Sequence, residues 1–246
     1  MALLLNADLG ESWYDRRIGN DAGLMPYLDL CNIACGMHGG DALTMRRTIE
    51  LAKLHDVRIG AHPSFPDRKN FGRVEMDLPL PRLEALILYQ VSALQGMVRA
   101  IAGEDLYHIK PHGALYHYAN RHEELARGIA RIATQLRVPY LMGPPTGELR
   151  RAAERAGLAF LAEGFADRRY TPDLTLQSRS APNACIDTIK EAAAQAKLLA
   201  AGQVRAMDGI TYPLQIKTLC IHGDHAGAVE RAQAIRVALA AATPPR

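Results

Sequence analysis

The sequence predicts an α/β fold: an irregular β/α (TIM-like) barrel of about seven parallel strands, with residues 1–246 forming one domain. Three observations carry this expectation. Short apolar runs rich in β-branched residues alternate with amphipathic helical segments along the whole chain. The length of 246 residues is usual for such a barrel, and no low-complexity linker or charge block divides it. The first strand runs into Asn6-Ala7-Asp8-Leu9-Gly10-Glu11, which carries carboxylates where a doubly wound dinucleotide-binding sheet would carry a glycine-rich turn.

The expected strands are Leu3–Asn6, Leu28–Ala34, Val57–Ala61, Leu106–Lys110, Val138–Met142, Leu158–Ala162 and Thr218–Ile221, with Val204–Met207 as a further candidate. Each ends in polar residues mixed with Gly or Pro. Between them, Ala42, Met45, Ile49 and Ala52 keep a three-four-three spacing that marks one face of a helix. Leu83, Ile87, Val91, Leu94, Val98 and Ile101 extend the same rhythm through a longer helix, entered at Pro79 and Pro81. Leu125, Ile129, Ile132 and Leu136 mark another, and Ala228, Ala232, Ile235 and Leu239 the last. Asp41 and Asp224 stand where N-caps belong, accepting hydrogen bonds from first-turn amides.

Composition narrows the function. Apolar residues make up 48% and charged residues 22% of the chain, an ordinary globular balance. The net charge is a modest +3, and the Arg doublets at 16–17, 46–47, 150–151 and 168–169 are scattered. Without a basic run or interleaved aromatics, nucleic acid is not the expected partner. The opening run Met1-Ala2-Leu3-Leu4-Leu5 meets Asn6 and Asp8 too soon for a signal core or membrane span, so a cytoplasmic protein is expected. Cys31, Cys35, Cys185 and Cys220 match no zinc-ribbon or C-x-x-C spacing and read as reduced core thiols.

In a parallel barrel, function gathers on the loops after the carboxyl ends of the strands. Those loops are heavily loaded here. Asn6, Asp8 and Glu11 follow the first strand; Asn32 and the turn Gly36-Met37-His38-Gly39-Gly40-Asp41 follow the second. His62, Asp67, Arg68 and Arg73 follow the third, and His108, Lys110 and His112 the fourth. Asp167 and Arg168 follow the sixth, and His222 and Asp224 the last. Asp8, His38 and His62 come from three successive strands and suit a divalent metal that activates water. Equally, each can be a hydrogen-bonded structural residue, since the tighter H-x-x-x-H spacings are absent. Lys110 and His112 share a face and suit oxyanion stabilisation or proton shuttling. Asp8, His38, His62, Lys110 and His112 are therefore the catalytic candidates; Asn6, Glu11, Asn32, Arg73, Asp167, Arg168, His222 and Asp224 are the candidates for holding substrate or anion. There is no G-x-x-x-x-G-K-[ST] loop and no G-x-S-x-G elbow, so any nucleotide is held without a Walker A loop.

Six stretches together resemble one family: Leu5–Glu11, Asn32–Asp41, Gly60-Ala61-His62-Pro63, Lys110–Tyr116, Phe165–Tyr170 and Cys220–Asp224. In their order they are similar to the signature blocks of the 5-oxoprolinase A-subunit family, also labelled lactam utilization proteins. The resemblance implies an irregular barrel related to the carbohydrate deacetylases. It also implies opening of 5-oxo-L-proline to L-glutamate, with ATP, accompanied by Mg, consumed as co-substrate, in a complex with two other subunits; from the composition and the short opening run, no membrane partner is expected. Departures exist: Val74 stands where a second Arg often follows Arg73, and Asp173-Leu174 where Asp-Gly is usual. Two other functions compete. A stand-alone metal-dependent amide or acetyl hydrolase would need only Asp8, His38 and His62; a docking scaffold would tolerate His62→Ala.

Overall fold

The strands Leu4–Leu9, Arg58–His62 and His108–Ile109 alternate polar or small residues with aliphatic ones, and the period of two along every strand sets the architecture. The structure, a computed structural model, describes residues 3–178, 181–223 and 227–242. Strands β1 (Leu4–Leu9), β2 (Leu30–Ala34), β3 (Arg58–His62), β4 (His108–Ile109), β5 (Tyr140–Gly143) and β6 (Ala159–Phe165) pair in sequence order, all parallel. Next, β7 (Gln203–Arg205) and β8 (Thr211–Pro213) form an antiparallel pair outside the barrel. The segment expected as a further strand at Val204 thus belongs to this hairpin. β9 (Thr218–Ile221) closes the barrel between β6 and β1, making the seven parallel strands that the sequence predicts.

Around the barrel lie α1 (Asp21–Leu24), α2 (Ala42–Leu54), α3 (Leu80–Ala102), α4 (Gly113–Arg121), α5 (Glu123–Gln135), α6 (Glu148–Arg155), α7 (Ile189–Ala200) and α8 (Ala228–Ala242). Asp41 caps α2 as expected, accepting from the Thr44 amide at 2.8 Å. The Asp224 cap lies outside the described residues. α3 is long and apolar enough to cross a membrane. Here its Leu83, Ile87, Val91, Leu94 and Val98 face is buried in the core, as in a barrel's outer helix.

The two faces of the strands have different jobs. Leu5, Ala7, Leu9, Cys31, Ile33, Ile59, Ala61, Ile109, Leu141, Leu219 and Ile221 point outward into one apolar shell shared with the helices. Truncating one of its Leu or Ile residues would cost about 2–5 kcal/mol. The opposite set faces inward. Leu30, Met142 and Leu161 form an apolar plug in that interior. A polar layer accompanies it: Asn6 Nδ2 donates to Thr218 Oγ1 at 2.8 Å, Asn32 Nδ2 to Asn6 Oδ1 at 2.8 Å, and His108 Nε2 to Asn32 Oδ1 at 2.6 Å. These bonds offset the cost of burying amides in a dry interior. Gly60 makes room for this layer, because a Cβ there would lie 2.1 Å from His108 Nε2. Toward the carboxyl ends, the inward positions become Asp8, His62, Lys110 and Phe165.

Candidate active site at the carboxyl ends of the strands

Asp8, at the end of β1, is the hub. Its Oδ1 accepts from Lys110 Nζ at 2.8 Å and from Asn32 Nδ2 at 2.8 Å, and its Oδ2 lies 3.2 Å from His62 Nε2. Burial alone would raise its carboxyl pKa, but His62 and Lys110 outweigh burial and hold it well below the usual carboxylate range. Lys110 also reaches Glu163 Oε1 at 2.9 Å. Burial would strip its charge; Asp8, Cys220 and Glu163 reverse that and push its pKa well above the usual value. Lys110 is thus a fixed, buried ammonium held between two carboxylates.

Beside Asp8 stands a mesh of imidazoles. His62 Nδ1 is 2.7 Å from the Lys110 carbonyl and therefore donates to it. His112 Nε2 is 2.9 Å from the Phe71 carbonyl and donates there. With those protons assigned outward, the inner nitrogens, His62 Nε2 and His112 Nδ1, face each other at 2.9 Å. His38 lies flat on His112, with ring centroids 3.6 Å apart and planes 4° from parallel, and its Nε2 reaches Glu11 Oε1 at 3.1 Å. Burial first, then the neighbouring His112 and His62, hold His38 well below the usual histidine range; burial and His62 do the same for His112. The loop after β3 closes over these rings. Gly72, at φ +65°, passes so near that a Cβ would lie 2.9 Å from both His38 and His112.

The opposite wall is built from β6 and β9. Asp167 accepts from His222 Nδ1 at 2.9 Å and from the His222 backbone amide at 3.0 Å, fixing both the ring and its tautomer. Burial would raise the Asp167 carboxyl, but His222 holds it far below the carboxylate range. The His222 ring stacks on Phe165 at 5.7 Å. Arg168 donates to the Gln177 carbonyl at 2.5 Å, which ties the segment after β6 across the opening.

Between the walls lies a cavity of about 590 Å³, within the range that takes a small molecule. Asp8, Glu11, His62, Arg73, Lys110, His112, Arg168 and His222 line it. Asn6 and Asn32, expected to hold substrate, lie within the barrel, where they support Asp8 and His108; His38 and Asp167 stand behind residues that line the cavity. Asp224 lies outside the described residues. In the Gly36–Gly40 turn, the Gly36 amide donates to the Gly39 carbonyl and the Gly40 amide to the Glu11 carbonyl, while Arg68 binds the Gly36 and Gly40 carbonyls. Cys35 is buried, donates to the Ile33 carbonyl, and has its thiol pKa pushed up to about 12, which suits packing rather than nucleophilic attack.

Sequence reasoning missed Glu163. Its signal was a lone carboxylate at an inward position within the apolar run Leu158–Phe165. Tyr116 and Phe165, which also line the cavity, gave no signal beyond their place beside the recognised blocks. For metal, the described residues offer one cluster: Glu11, His38, His62 and His112, with candidate ligand atoms all within 4.8 Å of one another. Asp8, expected in such a set, is instead engaged by Lys110 and Asn32.

Comparison with known proteins gives a consistent picture. The pattern of the LamB/YcsF family matches residues 3–244. A 5-oxoprolinase A subunit from Methylococcus capsulatus is 46% identical over 239 residues, covering 96% of this chain and 92% of the relative. One from Pyrococcus furiosus is 42% identical over 241 residues, covering 96% and 93%. The crystal structure of a lactam utilization protein from Thermus thermophilus superposes with a TM-score of 0.91 at 40% identity, covering 98% of this chain and 97% of that one.

Proposed function

The chain belongs to the LamB/YcsF family, and on that premise we propose that it is the A subunit of a 5-oxoprolinase, which hydrolyses 5-oxo-L-proline to L-glutamate. In this reading it works in the cytoplasm with two other subunits and consumes ATP, accompanied by Mg, as co-substrate. The observation that carries the reading is the cavity itself. It sets an ion-paired lysine and carboxylate, Lys110 and Asp8, on one side and an aspartate-oriented histidine, His222, on the other.

The chemistry explains the need for ATP. A five-membered lactam is an unstrained, resonance-stabilised amide whose closure is intramolecular, so opening it needs an energetic push. Phosphorylation of the amide oxygen by ATP makes the ring carbon electrophilic and releases ADP. Water then adds to that carbon, the ring nitrogen takes a proton, and the C–N bond breaks to leave an acyl phosphate. A second water releases phosphate and glutamate.

Three kinds of group on this chain, a carboxylate, an imidazole and a set of cations, fit those steps. Asp8 stays ionised and accepts a hydrogen bond from the attacking water. His222, its Nδ1–H held by Asp167, carries the proton from water to the departing nitrogen. The Lys110 ammonium, with Arg73 and Arg168 at the cavity wall, stabilises negative charge on the substrate. A stand-alone metal-dependent hydrolase is the alternative, favoured by the cluster of Glu11 with three histidines.

The test is glutamate release from 5-oxo-L-proline by this chain alone and mixed with its two partner subunits, with and without ATP. Activity confined to the ATP-containing mixture supports the subunit reading. Activity of the chain alone without ATP overturns it in favour of the metal hydrolase, and silence in every mixture overturns the substrate.

A further inference from the structure

We propose that the chain carries a divalent transition-metal site of the zinc class whose protein ligands are Glu11, His62 and His112, with His38 behind them and Asp8 outside. This differs from the set Asp8, His38 and His62 that the sequence suggests, and it stands independently of the lactam substrate.

The first argument is proton bookkeeping. The outer nitrogens of His62 and His112 are both committed as donors to carbonyls, at 2.7 Å and 2.9 Å. His62 Nε2 then meets two acceptors, His112 Nδ1 at 2.9 Å and Asp8 Oδ2 at 3.2 Å, an arrangement that repels unless positive charge, a metal ion or the proton of a charged His62, sits among them. Glu11 Oε1, 3.5 Å from His112 Nδ1, brings a carboxylate to the same point. A tetrahedral ion with bonds of about 2.0–2.1 Å has donor–donor edges of about 3.3 Å, close to these separations.

The second argument is what stands behind each donor. His62 is oriented by the Lys110 carbonyl, His112 by the Phe71 carbonyl, and Glu11 by His38 Nε2 at 3.1 Å. Partners of this kind fix the tautomer and direction of metal-bound groups. His38 is a poor ligand itself. Its ring lies parallel to His112 at 3.6 Å, and the in-plane lone pairs of two stacked rings cannot converge on one ion.

The third argument is access. Glu11, His62 and His112 all line the cavity, so a fourth coordination position opens toward substrate, as in metal sites that activate rather than merely brace. Asp8 is excluded by charge, because one of its oxygens is bonded to the Lys110 ammonium at 2.8 Å. Its other oxygen, 3.2 Å from His62 Nε2, borders the site without entering it.

The same gap can be filled by a proton on a doubly protonated His62, and the test separates the two. The full-length chain is stripped with a chelator, loaded with cobalt, desalted, and assayed by elemental analysis and visible absorption. The expected result is about one cobalt per chain. Glu11→Gln, His62→Gln and His112→Gln should each weaken binding ~100-fold or more, His38→Gln roughly 10-fold, and Asp8→Asn only a few-fold. Circular dichroism of each variant reports whether the barrel persists. Should a variant fail to fold, X-ray absorption of the unaltered cobalt-loaded chain decides: two imidazoles support the site, and none or three overturn it. An unaltered chain that takes up neither cobalt nor zinc overturns it as well, as does an Asp8→Asn chain that loses as much affinity as His112→Gln.

Discussion

The two walls of the cavity do different work with similar residues. On the β1–β4 wall, histidines touch one another: His38 stacks on His112, and His112 meets His62 at 2.9 Å. On the β6–β9 wall, His222 is clamped by a carboxylate through its ring and its backbone amide. Crowding and burial drive protons off His38 and His112, so that wall is suited to holding a cation or an oriented water. Asp167 fixes the orientation and tautomer of the His222 ring, so the other wall is suited to moving a proton. Lys110 joins the two, gripped by Asp8 from one side and Glu163 from the other. Residue type therefore says little about role here; the neighbour on the far side of each ring decides it.

Asp8→Asn should show the contrast between the walls most strongly. The amide keeps the shape but removes the charge that faces both Lys110 and His62. The ATP-dependent mixture should lose about 10³-fold in kcat, within the span expected for a group that handles water in the transition state. A loss below tenfold would take Asp8 out of the chemistry and leave the β6–β9 wall to do the work. Asp167→Asn should cost less, about 10²-fold, and should show in kcat rather than KM. Its amide cannot accept from His222 Nδ1 and the His222 backbone amide as the carboxylate does. A kcat left unchanged by the substitution would assign His222 a purely structural place.

Much of this was legible in the sequence because strands advertise their inward face. The alternation in Asn6-Ala7-Asp8, Gly60-Ala61-His62 and His108-Ile109-Lys110 places every second residue in the interior, and the structure has them there. The four helices read from their spacing are present as α2, α3, α5 and α8. What the spacing did not reveal were α1, α4, α6 and α7. The first is a single turn of four residues, α4 starts directly at Gly113, α6 is eight residues long, and α7 buries Ala192, Gln195 and Ala196 with Leu199 as the one large apolar residue. The irregular stretch between β6 and α7 hid in the same way, because its turns are held by contacts such as Arg168 to Gln177 and Gln195 to the Phe165 carbonyl. Long-range contacts also decide which histidine nitrogen faces inward, and that explains why the expected ligand set and the observed cluster differ. A strand-end position fixes where a ring starts, whereas backbone carbonyls on other strands and loops fix where it points.

The smallest effect worth measuring tests the layer beneath both walls. His108 is buried, donates through Nε2 to Asn32 Oδ1 at 2.6 Å, and its Nδ1 has no hydrogen-bond partner among the described residues. Burial, followed by the charge on Lys110, holds its pKa down to about 3. In the unfolded chain the same ring titrates near 6.5. Below about pH 6.5 the unfolded state therefore binds a proton that the folded state refuses, and stability falls as pH drops toward the folded value. The limiting slope for one such group is about 1.4 kcal/mol per pH unit. Replacing His108 with Gln keeps an N–H donor for Asn32 but removes the titration. Urea unfolding of the two proteins between about pH 6.5 and pH 5 should give slopes differing by close to one proton, with the variant the flatter. Equal slopes would mean that His108 is already charged inside the barrel. The Asn6–Asn32 amides would then have to compensate a buried cation, and the low pKa argued for this ring would be wrong.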